Sequence, residues 1–224
     1  MKFKNHIYFY PEKPMLVHRD QDLVQEMSDD PNYVAEPKYN GTRCVLTILD
    51  HYVSFWTRHG HPVKTLNPDT PEYEEMVKEI KEAVPSKGHF QFDSELRHHK
   101  VKGLAFQLVV WDCFIYNDKF LNNLVYDDRR ILVEKTFGTP SNATDKVVSL
   151  SEYKRRVKVI EQFPDRFSVI FDEFVSGKRS LGHKDEFEGL VMKNRKGYLN
   201  LGRKTNPESR WMYKIRIETG RHKF

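Results

Sequence analysis

The sequence predicts an α+β fold with antiparallel sheets flanked by helices, and three observations carry that reading. Runs of β-branched and aromatic residues recur along most of the chain. Only a few segments space their apolar residues as helices do, and they do not alternate with the strands as a βαβ fold requires. The 224 residues are enough for one large domain whose core needs neither disulfide nor metal, so residues 1–224 are read as a single domain.

The elements follow in order. Residues 20–28 carry Leu23, Val24 and Met27 at helical spacing, and Asp29-Asp30-Pro31-Asn32 breaks the pattern. Residues 33–36 and 43–49 read as strands about a turn at Asn40-Gly41, a hairpin signature. Residues 53–58 make a third strand. The helix expected over 71–84 starts on Pro71, bears Tyr73, Met76, Val77 and Ile80 on one stripe, and stops at Pro85. Strands are expected at 90–96 and 105–116, the latter rich in β-branched and aromatic residues. Helices are expected at 127–137 and at 151–163, with Ser151 as a cap. Residues 166–175, 188–193 and 211–217 read as strands that complete the second half.

Composition narrows the function classes. Hydrophobic residues at 38% and charged residues at 31% argue a globular chain rather than a disordered one. Cys44 and Cys113 are too few for a zinc cluster or a disulfide framework, and each sits in an apolar run as a buried thiol would. Lys2 and Lys4 precede His6, Tyr8 and Tyr10, which is no signal peptide, and no apolar run has membrane length. A soluble cytoplasmic protein is the expectation. The net charge of +5 is uneven: residues 193–224 hold ten Lys or Arg against Glu208 and Glu218, a local +8 that leaves −3 elsewhere. Such an end is either a solvated face or a seat for phosphates or a nucleic-acid backbone.

Four short stretches carry chemistry. The first is Glu36-Pro37-Lys38-Tyr39-Asn40-Gly41-Thr42-Arg43. Lys38 reads either as an exposed hairpin residue or as a nucleophile, and a nucleophilic lysine must be neutral, which calls for burial or neighbouring cations. Gly41 reads as a left-handed turn residue or as room for substrate against the backbone. Arg43 suits the polar oxygens of a substrate. In the second stretch, Phe92-Asp93-Ser94-Glu95-Leu96, a strand puts Asp93 and Glu95 on one face. That face is either solvated or a site for magnesium or manganese. The third, Phe187 to Lys193, sets Glu188 and Lys193 at the two ends of an apolar strand. The fourth, Trp211 to Arg216, sets Lys214 and Arg216 on one face.

In this order the stretches resemble the covalent nucleotidyltransferase superfamily of ATP-dependent DNA and RNA ligases and mRNA capping guanylyltransferases. Its Lys-x-Asp-Gly-x-Arg motif is met at Lys38 to Arg43 with Asn40 for Asp, and its Asp-Gly-Glu motif at Asp93-Ser94-Glu95. An aromatic-Asp element stands at Trp111-Asp112. Glu-Gly-x-Val-x-Lys is matched in full at Glu188 to Lys193, and Trp followed by Lys-x-Lys appears as Trp211 and Lys214-Ile215-Arg216, with Arg for the second Lys. The likeness spans residues 36–216 and implies an ATP-grasp-like ligase adenylation domain.

The resemblance also implies roles. Lys38 would attack the α-phosphorus of ATP to form lysyl-AMP, Glu36 would meet the adenine edge, Trp111 would stack on the base and Arg43 would touch the ribose. Glu95 and Glu188 would bind ribose or Mg2+ (or Mn2+), with Asp93 supporting that metal set. Lys193, Lys214 and Arg216 would hold phosphates, the latter two as catalytic cations. The full cycle passes AMP to a 5′-phosphate and seals a nick. Arg43 favours duplex DNA, as in DNA repair and replication, with RNA ligation as runner-up. Capping, or a non-catalytic nucleic-acid-binding module, are further alternatives. Eight residues follow Arg216, too few for an OB-fold domain, so a monomeric enzyme either works with the catalytic domain alone, or takes an accessory clamp protein as partner, or is only partly active. So small a ligase also resembles viral or phage enzymes. His98-His99-Lys100 is a further candidate for backbone or metal contact, with a solvated loop as its alternative.

Overall fold

The computed structural model describes residues 8–17, 20–97, 106–140, 155–178 and 186–217. His98-His99-Lys100 and the Ser151 cap lie outside them. The described elements are β1 (Lys13–Leu16), α1 (Gln21–Asp29), β2 (Tyr33–Tyr39), β3 (Thr42–Leu49), β4 (Tyr52–Thr57), α2 (Pro71–Ala83), β5 (His89–Arg97), β6 (Gln107–Tyr116), β7 (Lys119–Phe120), α3 (Tyr126–Phe137), β8 (Val157–Val159), α4 (Phe167–Val175), β9 (Phe187–Asn194) and β10 (Glu208–Arg216). The fold is α+β, as expected. A four-stranded sheet runs β1-β10-β9-β2, and a six-stranded sheet runs β4-β3-β5-β6-β7 with β8 beside β6. Pairing is antiparallel except at β1–β10 and β6–β8, which are parallel.

Each sheet buries one face under two helices. Cys44, Leu46 and Ile48 of β3 and Phe90 and Phe92 of β5 pack with Met76 and Ile80 of α2 and Val133 and Phe137 of α3. Ala35, Leu190, Met192 and Ile215 of the smaller sheet pack with Val24 and Met27 of α1 and Phe167, Ile170 and Phe174 of α4. Because strand side chains alternate, the residues between these positions turn to the opposite face. On the smaller sheet that set is Glu36 and Lys38, Val191 and Lys193, and Met212, Lys214 and Arg216. On the larger sheet it includes Arg43, Asp93 and Glu95. Among the described residues no helix is long and apolar enough to cross a membrane.

Three expectations need correction. Strands β2 and β3 flank Asn40-Gly41 but are not a hairpin: β2 pairs with β9 and β3 with β4 and β5. The turn is a corner at which the chain leaves one sheet for the other. Residues 166–175 are not a strand but the helix α4, whose Phe167, Ile170, Phe171 and Phe174 recur at helical spacing and bury together. Their β-propensity yields to packing against α1, and Phe167 N–H donates to Ser28 Oγ of α1 at 3.1 Å, a cap supplied from 139 residues away. The described part of 151–163 is not helical and contains β8, held in place by Glu79 of α2, whose carboxylate accepts from the backbone N–H groups of Arg156 and Val157. Strand β1, a four-residue edge strand with a proline, has too short a pattern to announce itself in the sequence.

Candidate active site

Where the helix-free faces of the two sheets meet there is a cleft of about 470 Å³, within the range of small-ligand sites. Residues Glu36, Lys38, Arg43, Glu95, Trp111, Glu188, Lys193, Lys214 and Arg216 all line it, drawn from six strands. Asp93 is the one candidate that stands behind the wall. Lys13, Arg58 and His59 line the cleft too; sequence reasoning misses them, because a basic residue at a strand end carries no local signal.

Strand register explains the arrangement. Across the smaller sheet, Lys38 faces Gly189 and Gly189 faces Arg216, while Glu36 faces Val191 and Val191 faces Lys214. The register slips between Lys38 and Tyr39, leaving Glu188 as the extra residue opposite them. Such a bulge re-aims a side chain, and here the Glu188 carboxylate accepts from Lys38 Nζ. Gly189 makes the bulge feasible: its φ is +138°, and a Cβ there would stand 2.0 Å from the Ile215 carbonyl oxygen. A second slip, between Asp93 and Ser94, leaves Trp111 as the extra residue of β6 and turns its ring to the cleft. Gly41 lines the cleft, but it is not a left-handed turn residue, one of the two roles expected of it. Its φ is ordinary, and a Cβ would come within 2.6 Å of Glu95 Cγ and 2.7 Å of the Leu96 carbonyl oxygen. It is glycine because the corner packs directly onto β5.

The acidic pair on β5 is divided by Arg43. Arg43 Nε donates to Asp93 Oδ1 at 3.0 Å, Nη2 reaches Oδ2, and Nη1 donates to the Glu12 carbonyl at 2.6 Å. Burial opposes the Arg43 charge, but Asp93, with Glu95 further off, overcomes this and holds the guanidinium above its usual range. Both Asp93 oxygens are thereby occupied. No cluster of three His, Cys, Asp or Glu suited to a metal occurs among the described residues. Glu95 and Glu188 do fit a magnesium ion that takes its other ligands from phosphates and water, the usual manner for that cation.

The cleft has two unlike ends. At one, Lys214 is half-buried, and its ammonium is held below the usual lysine range by burial first and then by Arg216, Lys38, Lys13 and Arg43. Neither Lys13, Lys214 nor Arg216 has a carboxylate at ion-pair distance among the described residues. Cations thus gather at this end, whereas Lys38 itself is paired with Glu188. At the other end Lys193, 2% exposed, pairs with Glu36 at 2.5 Å. Behind Glu36 lie Tyr126, Arg130 and Gln162. Tyr126 titrates far above the usual phenol range because it is buried and faces Glu36, which keeps its hydroxyl a donor. Asp112 completes this wall by binding Arg129, wholly buried, through both oxygens at 2.8 and 2.9 Å.

No protein-family profile matches the chain. A stretch of 56 residues, a quarter of the chain, is 34% identical to the SPbeta prophage-derived DNA ligase-like protein LigB of Bacillus subtilis (strain 168), of which it covers 19%. Among solved structures, a mycobacterial DNA ligase D complexed with ATP and MES superposes over 92% of this chain with TM-score 0.59 and 16% identity. The ATP-dependent DNA ligase from bacteriophage T7, complexed with ATP, superposes over 92% with TM-score 0.52 and 15% identity. The chain spans 60% of the first of these structures and 68% of the second. At such identities the likeness shows the fold, which is that of the nucleotidyltransferase domain of ATP-dependent DNA ligases.

Proposed function

We propose that the chain is an ATP-dependent polynucleotide ligase that forms lysyl-AMP on Lys38. The observation that supports this most is the convergence of nine residues, chosen by motif from positions 36 to 216, on one cleft. In the reaction Lys38 Nζ bonds to the α-phosphorus of ATP, the bond from that phosphorus to pyrophosphate breaks, and one lysine proton is lost. An amine attacks only when unprotonated, so the Lys38–Glu188 contact has to be released as the nucleotide arrives. Lys214 and Arg216, with Lys13, have no carboxylate partner among the described residues and suit the charge that gathers on the leaving pyrophosphate. Magnesium held by Glu95, Glu188 and the phosphates would polarise phosphoryl oxygens. Asp93 takes the Nε–Nη2 edge of Arg43 and fixes the guanidinium, leaving one N–H on each of Nη1 and Nη2 for ribose or phosphate oxygens.

AMP then passes from Lys38 to a 5′-phosphate, and a 3′-hydroxyl attacks that phosphate and displaces AMP to seal the nick. Arg43 at the sixth motif position and the likeness to DNA ligases favour duplex DNA over RNA. The test is intact mass after incubation with magnesium and ATP or GTP. A gain of one AMP in the native protein and none in Lys38→Ala is the expected outcome. A gain with GTP alone would move the reading to guanylyl transfer. No gain, even after pyrophosphate has stripped any resident adduct, would leave a nucleic-acid-binding module.

A further inference from the structure

Glu36 is 1% exposed yet lines the cleft, and every partner it has is a donor. Its Oε1 accepts from the Tyr126 hydroxyl and from Gln162 Nε2 at 3.0 Å, while Gln162 Nε2 also donates to Tyr126 Oη at 2.8 Å. The amide has to present nitrogen there, because its oxygen would face a carboxylate. Arg130 Nη1, buried and without a hydrogen-bond partner, stands 3.9 Å from the same Oε1. Oε2 is different, since its partner is Lys193 Nζ at 2.5 Å.

These partners differ in how firmly they are held. The Tyr126 ring is fully buried with its centroid 5.4 Å from that of Trp211. Gln162 stands one residue from Phe163, whose backbone exchanges two hydrogen bonds with Ala35. Lys193 reaches Glu36 on a flexible four-carbon stem, and its ammonium lies 5.8 Å from the Trp111 ring inside the cleft. Lys193, which also stands 3.5 Å from the Tyr126 hydroxyl, has the longest stem of the three and lines the cleft, so it can change partner by rotating that stem.

We propose that Tyr126 and Gln162 are positioning residues that set base selectivity: by occupying Oε1 they fix Glu36 as an acceptor whose Oε2 meets the nucleobase when Lys193 turns to phosphate. The inference rests on the nucleotide-transfer reading and deepens it. An exocyclic amine, as on adenine, gives Oε2 the donor it needs. A carbonyl at that place, as on guanine, sets one acceptor against another in a desolvated site, where a mispaired polar group weakens binding most. The donors on Oε1 matter because a carboxylate without them is free to rotate away from the base, which weakens its contact with an exocyclic amine.

The test compares equilibrium binding of ATP, GTP and inorganic tripolyphosphate to the native chain, Gln162→Leu and Tyr126→Phe, with thermal melting to confirm folding. The native chain is expected to favour ATP by about 100-fold or more. Each variant should lower that ratio roughly tenfold through weaker ATP binding, with tripolyphosphate affinity unchanged, since that ligand has no base. Equal losses of ATP and tripolyphosphate would mark a merely structural role and overturn the inference, as would an unchanged ratio in either folded variant. A native preference for GTP, or binding of tripolyphosphate without nucleotide selectivity, would overturn it while leaving nucleotidyl transfer standing. A native chain that binds neither nucleotide nor tripolyphosphate would overturn both readings.

Discussion

The two ends of the cleft differ in how their charges are met. Around Glu36 every charge has a counter-charge or a donor, and the group is almost dry: Glu36, Lys193, Asp112, Arg129 and Arg130 are each 4% exposed or less. Around Lys214 the cations are less fully met: Lys38 has Glu188 and Arg43 has Asp93, but Lys13, Lys214 and Arg216 have no carboxylate at ion-pair distance among the described residues. A closed network discriminates, because any ligand entering it has to replace a hydrogen bond it displaces. An uncompensated cluster attracts, because an anion relieves repulsion already present. On the proposed reading, selection falls to the first end and attraction to the second.

The largest effect should come from cutting the dry end. Asp112→Ala leaves the fully buried Arg129 guanidinium without its carboxylate, and the expected loss is about 3–5 kcal/mol of unfolding free energy. Chemical denaturation would measure it, and a change under about 1 kcal/mol would mean that this wall is wetter than its burial implies. At the open end, Lys214→Met should weaken tripolyphosphate binding about tenfold, the equivalent of one lost charge-assisted hydrogen bond, and flatten its salt dependence. Stability should not fall, since the variant removes a repelled charge. A variant as destabilising as Asp112→Ala would erase the contrast between the two ends.

The smallest effect is a pH trend. Lys214 titrates below its unfolded value of 10.5, so between its folded and unfolded values the unfolded chain binds more protons, and stability rises with pH across that window. Anion affinity falls over the same window as the ammonium is lost. Buried thiols and phenols, Tyr126 among them, titrate high and push stability the other way over the same range. Lys214 is therefore read by difference: the melting temperature of the native chain relative to Lys214→Met should rise with pH below 10.5 while the native advantage in tripolyphosphate binding falls. If the two moved together, the group titrating would not be this lysine.

Much of the site is legible in the sequence. Glu36 with Lys38, Asp93 with Glu95, and Lys214 with Arg216 share faces because strand side chains alternate, and that is a property of two adjacent residue steps. Motif order then chooses which strands matter. The supporting wall is not legible: Tyr126, Gln162 and Arg129 meet their partners across 90, 126 and 17 residues, and nothing in their own neighbourhoods distinguishes them from core or surface residues. The same holds for Gly41, whose need to be glycine comes from Glu95 and Leu96 on another strand.

What the sequence by itself determined is the set of local periods: which stretches are extended, which residues of a strand turn the same way, and which few carry charge on an otherwise apolar face. Tertiary structure decided partnership. Asn40-Gly41 has the pattern of a hairpin and became a corner between sheets because β2 buries Ala35 beneath α1 and α4 while β3 buries Leu46 beneath α2 and α3. Residues 167–175 have the composition of a strand and became a helix because their aromatic stripe had a helix to pack on and a distant serine to cap it. Local propensities differ by about 1 kcal/mol or less per residue, whereas burying one large apolar side chain contributes about 1.5–3 kcal/mol. Where the two compete, long-range packing decides.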